Sequence, residues 1–129
     1  MRMIIVNIEY KNDCIFVVGN TSIGSIKGRW CYSEKPIIGE TYFFELLIDE
    51  VDRNEISILY NQIFKPSVSY IDDKVKFKGI CEEVDDIYVV RFAIDWIEMI
   101  SVKNDDFTIR EGDKIEYLLN YKCIGIYPY

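Results

Sequence analysis

Alternation of apolar and polar side chains constrains this chain more than any other pattern. In "GETYFFELLID", Tyr42, Phe44, Leu46 and Ile48 share one face; in "KVKFKGICE", Val75, Phe77, Gly79 and Cys81 oppose Lys74, Lys76, Lys78, Ile80 and Glu82. A period of two marks a strand whose two faces meet different surroundings. The same period runs through Ile4, Val6, Ile8 and Tyr10, through Ile26, Gly28, Trp30 and Tyr32, and through Ile115, Tyr117, Leu119, Tyr121 and Cys123. Turn-forming clusters separate the runs, among them "KND" at 11, "GNTSIG" at 19, "DD" at 72, "EEVDD" at 82 and "KNDD" at 103.

One segment reads as a helix, at about 53–64. Asp52 is placed to cap it with Glu55 three residues on, and Ile56, Leu59, Tyr60 and Ile63 keep helical spacing until Pro66. Its "EISILY" is equally suited to a short strand. The apolar stretch from Ile87 to Val102 is too long for one strand, so a bulge or bend is expected near Ala93 to Asp95. Glu98 interrupts the row of Phe92, Ile94, Trp96, Ile100 and Val102 there. It is expected to face solvent, because unpaired charges are seldom buried. The fold class is therefore mainly β: a small antiparallel barrel or a two-layer sandwich with at most one short helix, in a single domain spanning 1–129. More than five strands are counted, which leaves an OB-like barrel as one form among several.

Several chemistries are excluded or weakened. With no histidine, a Ser–His or Cys–His nucleophile cannot be built. Cys14, Cys31, Cys81 and Cys123 lie far apart with no C-x-x-C pair, and they read as free thiols buried like small hydrophobes rather than as zinc ligands. The isolated glycines form no phosphate loop, and neither cofactor nor metal is implied. No run of about 18 apolar residues and no signal-like N-terminus is present, which favours a cytoplasmic protein with no membrane partner.

Charge is the remaining signal. The formal net charge is −7, and all of it falls after residue 48. Most acids of that part lie in five turn-like clusters, "DEVD" at 49, "DD" at 72, "EEVDD" at 82, "DD" at 105 and "EGD" at 111. Acidic turns keep a protein soluble; gathered together, they also steer a basic surface inward. The candidate partner-binding residues are Asp49, Glu50, Asp52, Glu82, Glu83, Asp85 and Asp86. They are expected to meet a basic protein, as an immunity-type inhibitor meets a basic toxin or nuclease. Nucleic acid is disfavoured as a general partner by the same charge. The alternative is an OB-like module holding single-stranded nucleic acid on Lys74, Lys76, Lys78 and Arg91, a pattern that lysines guarding an edge strand also produce. A third reading, a divalent-metal-dependent hydrolase, would draw on the same acids, although none has the spacing of a calcium loop.

Overall fold

The computed structural model describes residues 1–60 and 63–129, which are mainly β. In chain order the strands are β1 (Arg2–Lys11), β2 (Cys14–Thr21), β3 (Gly24–Trp30), β4 (Thr41–Ile48), β5 (Val51–Asp52), β6 (Ile56–Ile58), β7 (Ser67–Ile71), β8 (Lys74–Val84), β9 (Tyr88–Ala93), β10 (Trp96–Ile100), β11 (Val102–Lys103), β12 (Lys114–Asn120) and β13 (Ile124–Pro128).

Five of these strands close into a barrel. β1 pairs with β2 and β4, β2 with β3, β3 with β13, and β13 with β4. Only the β3–β13 contact is parallel. Counted within the barrel, the order is first, second, third, fifth, fourth and back to first, the connectivity of an OB-type barrel. No helix stands between the third and fourth barrel strands; instead, β5 to β12 form a large insertion between the fourth and fifth.

The insertion is an antiparallel meander of β7, β8, β9 and β10, with β12 also on β8 and β6 beyond β12. It joins the barrel where Gly24 of β3 lies parallel to Val68 of β7. Gly24 has φ +134°, and a Cβ there would stand 1.8 Å from the Val68 carbonyl oxygen, so the seam accepts only glycine. Ring contacts then link the two parts. Phe44 of the barrel meets Trp96 edge-on at 5.5 Å, Trp96 meets Phe92 at 5.4 Å, Phe92 meets Phe77 at 5.7 Å, and Phe77 stacks on Tyr117 at 5.0 Å. All five rings are buried, and burial of each contributes about 1.5–3 kcal/mol.

The alternation read from β8 is realised, with Val75, Phe77, Gly79 and Cys81 buried beneath a half-exposed lysine row. Other expectations are corrected. The segment expected to be helical forms only a 3-10 turn, Arg53–Glu55, and then β6. Asp52 does cap the turn, accepting from the Asn54 N–H at 2.9 Å. The helix fails because Ile56 to Ile58 find a strand partner in Tyr117 to Ile115. Asn61 and Gln62, also within that expected helix, lie outside the described residues. In β1, Met3 and Ile5 face the core while Ile4 and Val6 are exposed, and a bulge lies between Ile5 and Asn7. The "MIIV" run is apolar on both faces, so its pattern does not choose between them. Of the four cysteines only Cys81 is buried, and Cys123 is exposed.

Candidate functional site

The acidic turns do not scatter. β5 runs parallel to β11, with Val51 opposite Val102 and Asp52 opposite Lys103, and the Val51 N–H donates to the Ser101 carbonyl at 2.9 Å. This brings the cluster at 49 beside the cluster at 105. Asn104 donates to Asp52 at 3.2 Å, and Arg53 pairs with Asp106 at 2.9 Å. The Tyr88 hydroxyl donates to Asp105, tying in the β8–β9 hairpin that carries Glu82, Glu83, Asp85 and Asp86. At the base of that hairpin, the Cys81 N–H donates to the Asp113 carbonyl at 2.8 Å and the Gly112 N–H to the Cys81 carbonyl at 2.7 Å. The cluster at 111 is thereby fixed to the same corner.

Two titration shifts arise from burial beside individual acids of these turns. Burial first, then Asp113 and Glu111, push the Cys81 thiol up to about 11. Burial and the hydrogen bond to Asp105 push the Tyr88 phenol up to about 12. Asp49, Glu50, Glu83, Asp85 and Asp86 are exposed, while Asp52 and Glu82 are half-buried. The remaining pair, Asp72 and Asp73, sits in the β7–β8 turn at the far end of β8.

Lys74, Lys76 and Lys78 do share the outer face of β8. Two of them are engaged there, Lys76 and Lys78 each standing 3.8 Å from Glu116 of β12. Arg91 is drawn away from the stripe, pairing with Glu82 and donating to the carbonyls of Ala93 at 3.1 Å and Ile94 at 3.0 Å. Among the described residues no three Asp, Glu or Cys side chains converge as a metal-holding group.

The outer face of β2 and β3, through which OB-type barrels take oligonucleotides and oligosaccharides, is covered by the chain's own insertion around Lys27 and Phe16, while Asn20 and Arg29 on it stay exposed. Lys27 projects from that face and is buried. Its Nζ donates to Glu9 at 2.8 Å and to the Tyr70 hydroxyl at 3.3 Å, and lies 4.0 Å from the Tyr121 ring centre. Burial alone pushes the Lys27 ammonium down, but its bonds to Glu9 and Tyr70 outweigh that and leave it raised. Beside it, Phe16 of β2 meets Tyr121 edge-on at 5.1 Å, and the Tyr70 N–H donates to Ser25 Oγ at 3.2 Å.

A second feature is the one the sequence posed through Glu98. The stretch from Ile87 to Val102 divides where expected, but by a full reversal: Ile94 and Asp95 form a turn, and β10 folds back on β9. Glu98 then pairs with Val90, which is fully buried, and lies in the inward row between Trp96 and Ile100. Its expected exposure is therefore corrected: Glu98 is half-buried and accepts a hydrogen bond from Trp96 Nε1 at 2.8 Å. Burial raises its carboxyl to about 7, the Trp96 bond opposes the rise, and the charge of Glu45 adds to it. A cleft of about 420 Å³ opens here between β4 and β10, lined by Phe44, Glu45, Leu46, Trp96, Glu98 and Tyr129 together with Met1, Asp95, Ile97 and Met99.

No protein-family model, curated protein or solved structure matches this chain. The chemistry must be read from the two places just described. The acidic corner offers exposed carboxylates to a cationic surface. The cleft offers a carboxyl divided near neutrality between acid and carboxylate, able to exchange a proton or to face a cation. The sequence singled out Glu98 as an anomaly but omitted it from the candidate residues, because its direction depends on the register of a hairpin whose Ile-Asp turn carries no Gly or Asn signal.

Proposed function

We propose that this protein is a non-catalytic module that binds a basic protein partner through its acidic corner. Its finer form is an immunity-type inhibitor that occupies a basic toxin or nuclease in the cytoplasm. The observation that carries the reading is the convergence of four acidic turn clusters, separate in sequence, through the β5–β11 pair, the Tyr88–Asp105 bond and the backbone bonds of Cys81. Solubility needs acidic turns but not their assembly at one corner, whereas steering of a basic partner gains from it. Exposed tyrosines elsewhere, Tyr10, Tyr32, Tyr127 and Tyr129 among them, add large contact surfaces of the kind interfaces use. The insertion over the centre of the β2–β3 face also favours a partner held elsewhere. Among the described residues, no helix is long and apolar enough to cross a membrane.

The test compares the native chain with a variant carrying Glu50→Gln, Glu83→Gln, Asp85→Asn, Asp86→Asn and Glu111→Gln, immobilised side by side in lysate of the cells that make it. A stoichiometric basic protein held by the native chain at low salt, released by high salt and absent from the variant is the expected result. Equal capture by both chains, or capture of nucleic acid alone, overturns the reading. Inhibition of the captured protein's activity at one-to-one stoichiometry distinguishes an inhibitor from an adaptor.

A further inference from the structure

The cleft between β4 and β10 contains an imbalance that the acidic corner does not explain. Glu98 projects into it from an inward row, with a single hydrogen bond from the Trp96 indole, and Glu45 stands on its rim. Among the described residues no Lys or Arg forms an ion pair with either carboxylate. The one cation at the cleft, the Met1 amine, is engaged by Asp95 at 3.3 Å. A half-buried carboxylate without a counter-charge still carries a desolvation cost, and the side chains beside this one include the aromatics Trp96, Phe44 and Tyr129. Aromatic side chains beside a partly desolvated acid favour an organic cation over water, through charge and ring quadrupole together. A volume of about 420 Å³ lies within the range of small-molecule sites, and the lining mixes aromatic side chains with the carboxylates of Glu98, Glu45 and Asp95.

We propose that this cleft binds a small organic cation bearing a guanidinium or alkylammonium group, with Glu98 and Glu45 as its anionic partners and Trp96, Phe44 and Tyr129 as its walls. The site is independent of the acidic corner. It uses none of the residues assigned there, so either can fail without the other. The titratable groups that act on Glu98 are Glu45 of β4 and Tyr117 of β12, while Asp95 of the β9–β10 turn, paired with the Met1 amine that precedes β1, lines the same cleft. The Tyr117 hydroxyl is buried without a hydrogen-bond partner and its phenol is pushed well up by burial and by Glu98. None of these supplies a positive charge that is not already paired. A bound cation therefore favours ionised Glu98, and acidification through neutrality opposes binding.

The chain carries its own reporter. It has two tryptophans: Trp96 donates to Glu98 inside the cleft, while Trp30 donates to the Glu34 carbonyl at 2.8 Å, away from it. The experiment titrates agmatine into the 15N-labelled full chain at pH 8 and follows the two indole N–H signals, with uncharged N-butylurea as the matched control. The expected result is a saturable shift of the Trp96 signal with Trp30 unmoved. Affinity should drop about tenfold in Glu98→Gln, less in Glu45→Gln, and several-fold in the native chain at pH 5.5. Glu98→Gln keeps an acceptor for Trp96 and removes a half-buried charge, so it is expected to fold; its Trp30 signal checks that. No saturable shift up to about 50 mM agmatine, equal response to butylurea, or undiminished affinity in Glu98→Gln would each overturn the proposal.

Discussion

Replacing Glu98 by Gln should stabilise the protein at pH 8 and leave it unchanged at pH 4.5. The carboxyl is raised from its ordinary 4.5 to about 7, with burial as the leading cause. Between those two values the folded chain holds a proton that the unfolded chain has released. Stability associated with Glu98 is therefore complete below about 4.5, declines as pH rises through neutrality, and stays lost above it. At about 1.4 kcal/mol for each pH unit the full displacement amounts to about 3 kcal/mol. Side-chain relaxation and water entering the open cleft reduce what is measurable to about 1–3 kcal/mol. Glutamine has the same shape, keeps an oxygen for the Trp96 indole, and never ionises.

The assay is urea unfolding of both chains across pH 4.5 to 8.5, followed by tryptophan fluorescence. The difference between them should be near zero at the acid end and should grow in favour of Glu98→Gln through pH 6 and 7, reaching about 1–3 kcal/mol. A direct 13C titration of the Glu98 carboxyl should show its midpoint in the same interval. Parallel stability curves, with a constant offset at every pH, would refute the burial of Glu98 and with it the inward register of β10.

Three further outcomes follow from other parts of the fold. Glu9→Gln should cost more stability than Lys27→Met, about 2–4 kcal/mol against about 1 kcal/mol or less, because the first leaves a buried ammonium with a weakened acceptor, whereas the second leaves a half-exposed carboxylate that water can reach; chemical unfolding of the two variants checks the order. Gly24→Ala should be severely destabilised, by more than about 3 kcal/mol, since its Cβ would collide with the Val68 carbonyl at the seam between barrel and insertion, and a melting curve like that of the native chain would count against the seam. Under iodoacetamide, Cys123 should be alkylated first and Cys81 last, given exposure of the one and burial of the other with a thiol raised to about 11; peptide mass mapping over time gives the order.

Legibility in the sequence tracked how asymmetric each segment is between its two faces. In β8 a lysine at every second position leaves one arrangement that buries no charge, so strand and faces follow from pattern alone. "MIIV" in β1 and "EISILY" near β6 are apolar on both faces, and tertiary pairing chose what local pattern left open. The division near Ala93 to Asp95 was readable from length, but reversal rather than a bend was not, because no glycine or asparagine announces that turn. Glu98 followed that uncertainty: a bend sends it outward, while the hairpin register opposite Val90 sends it inward. The acidic corner was legible as composition and illegible as geometry, since it depends on a two-residue parallel pairing between β5 and β11 that no periodicity can reveal.

That geometry carries a cost that can be measured. β8 has 11 residues, so at about 3.3 Å per residue its length separates Asp72 and Asp73 from the acidic corner by more than three times the Debye length of about 8 Å at physiological salt. The distant pair is screened from the corner, whereas the acids within it repel one another, with Arg53 and Arg91 offsetting only Asp106 and Glu82 by direct pairing. Such self-repulsion should destabilise the fold at low salt. Melting temperature should thus rise by a degree or more between about 50 and 500 mM NaCl, a range in which the Debye length stays well below that separation, and the triple change Glu83→Gln, Asp85→Asn and Asp86→Asn should raise it at the lower salt while flattening the salt response. The matching change at Asp72 and Asp73 should leave that response intact. If both sets of substitutions flatten it equally, the repulsion belongs to the net charge of the chain and not to an assembled corner. A low-salt penalty confined to the corner is the outcome expected of the proposed binding surface, since function commonly carries a cost in stability.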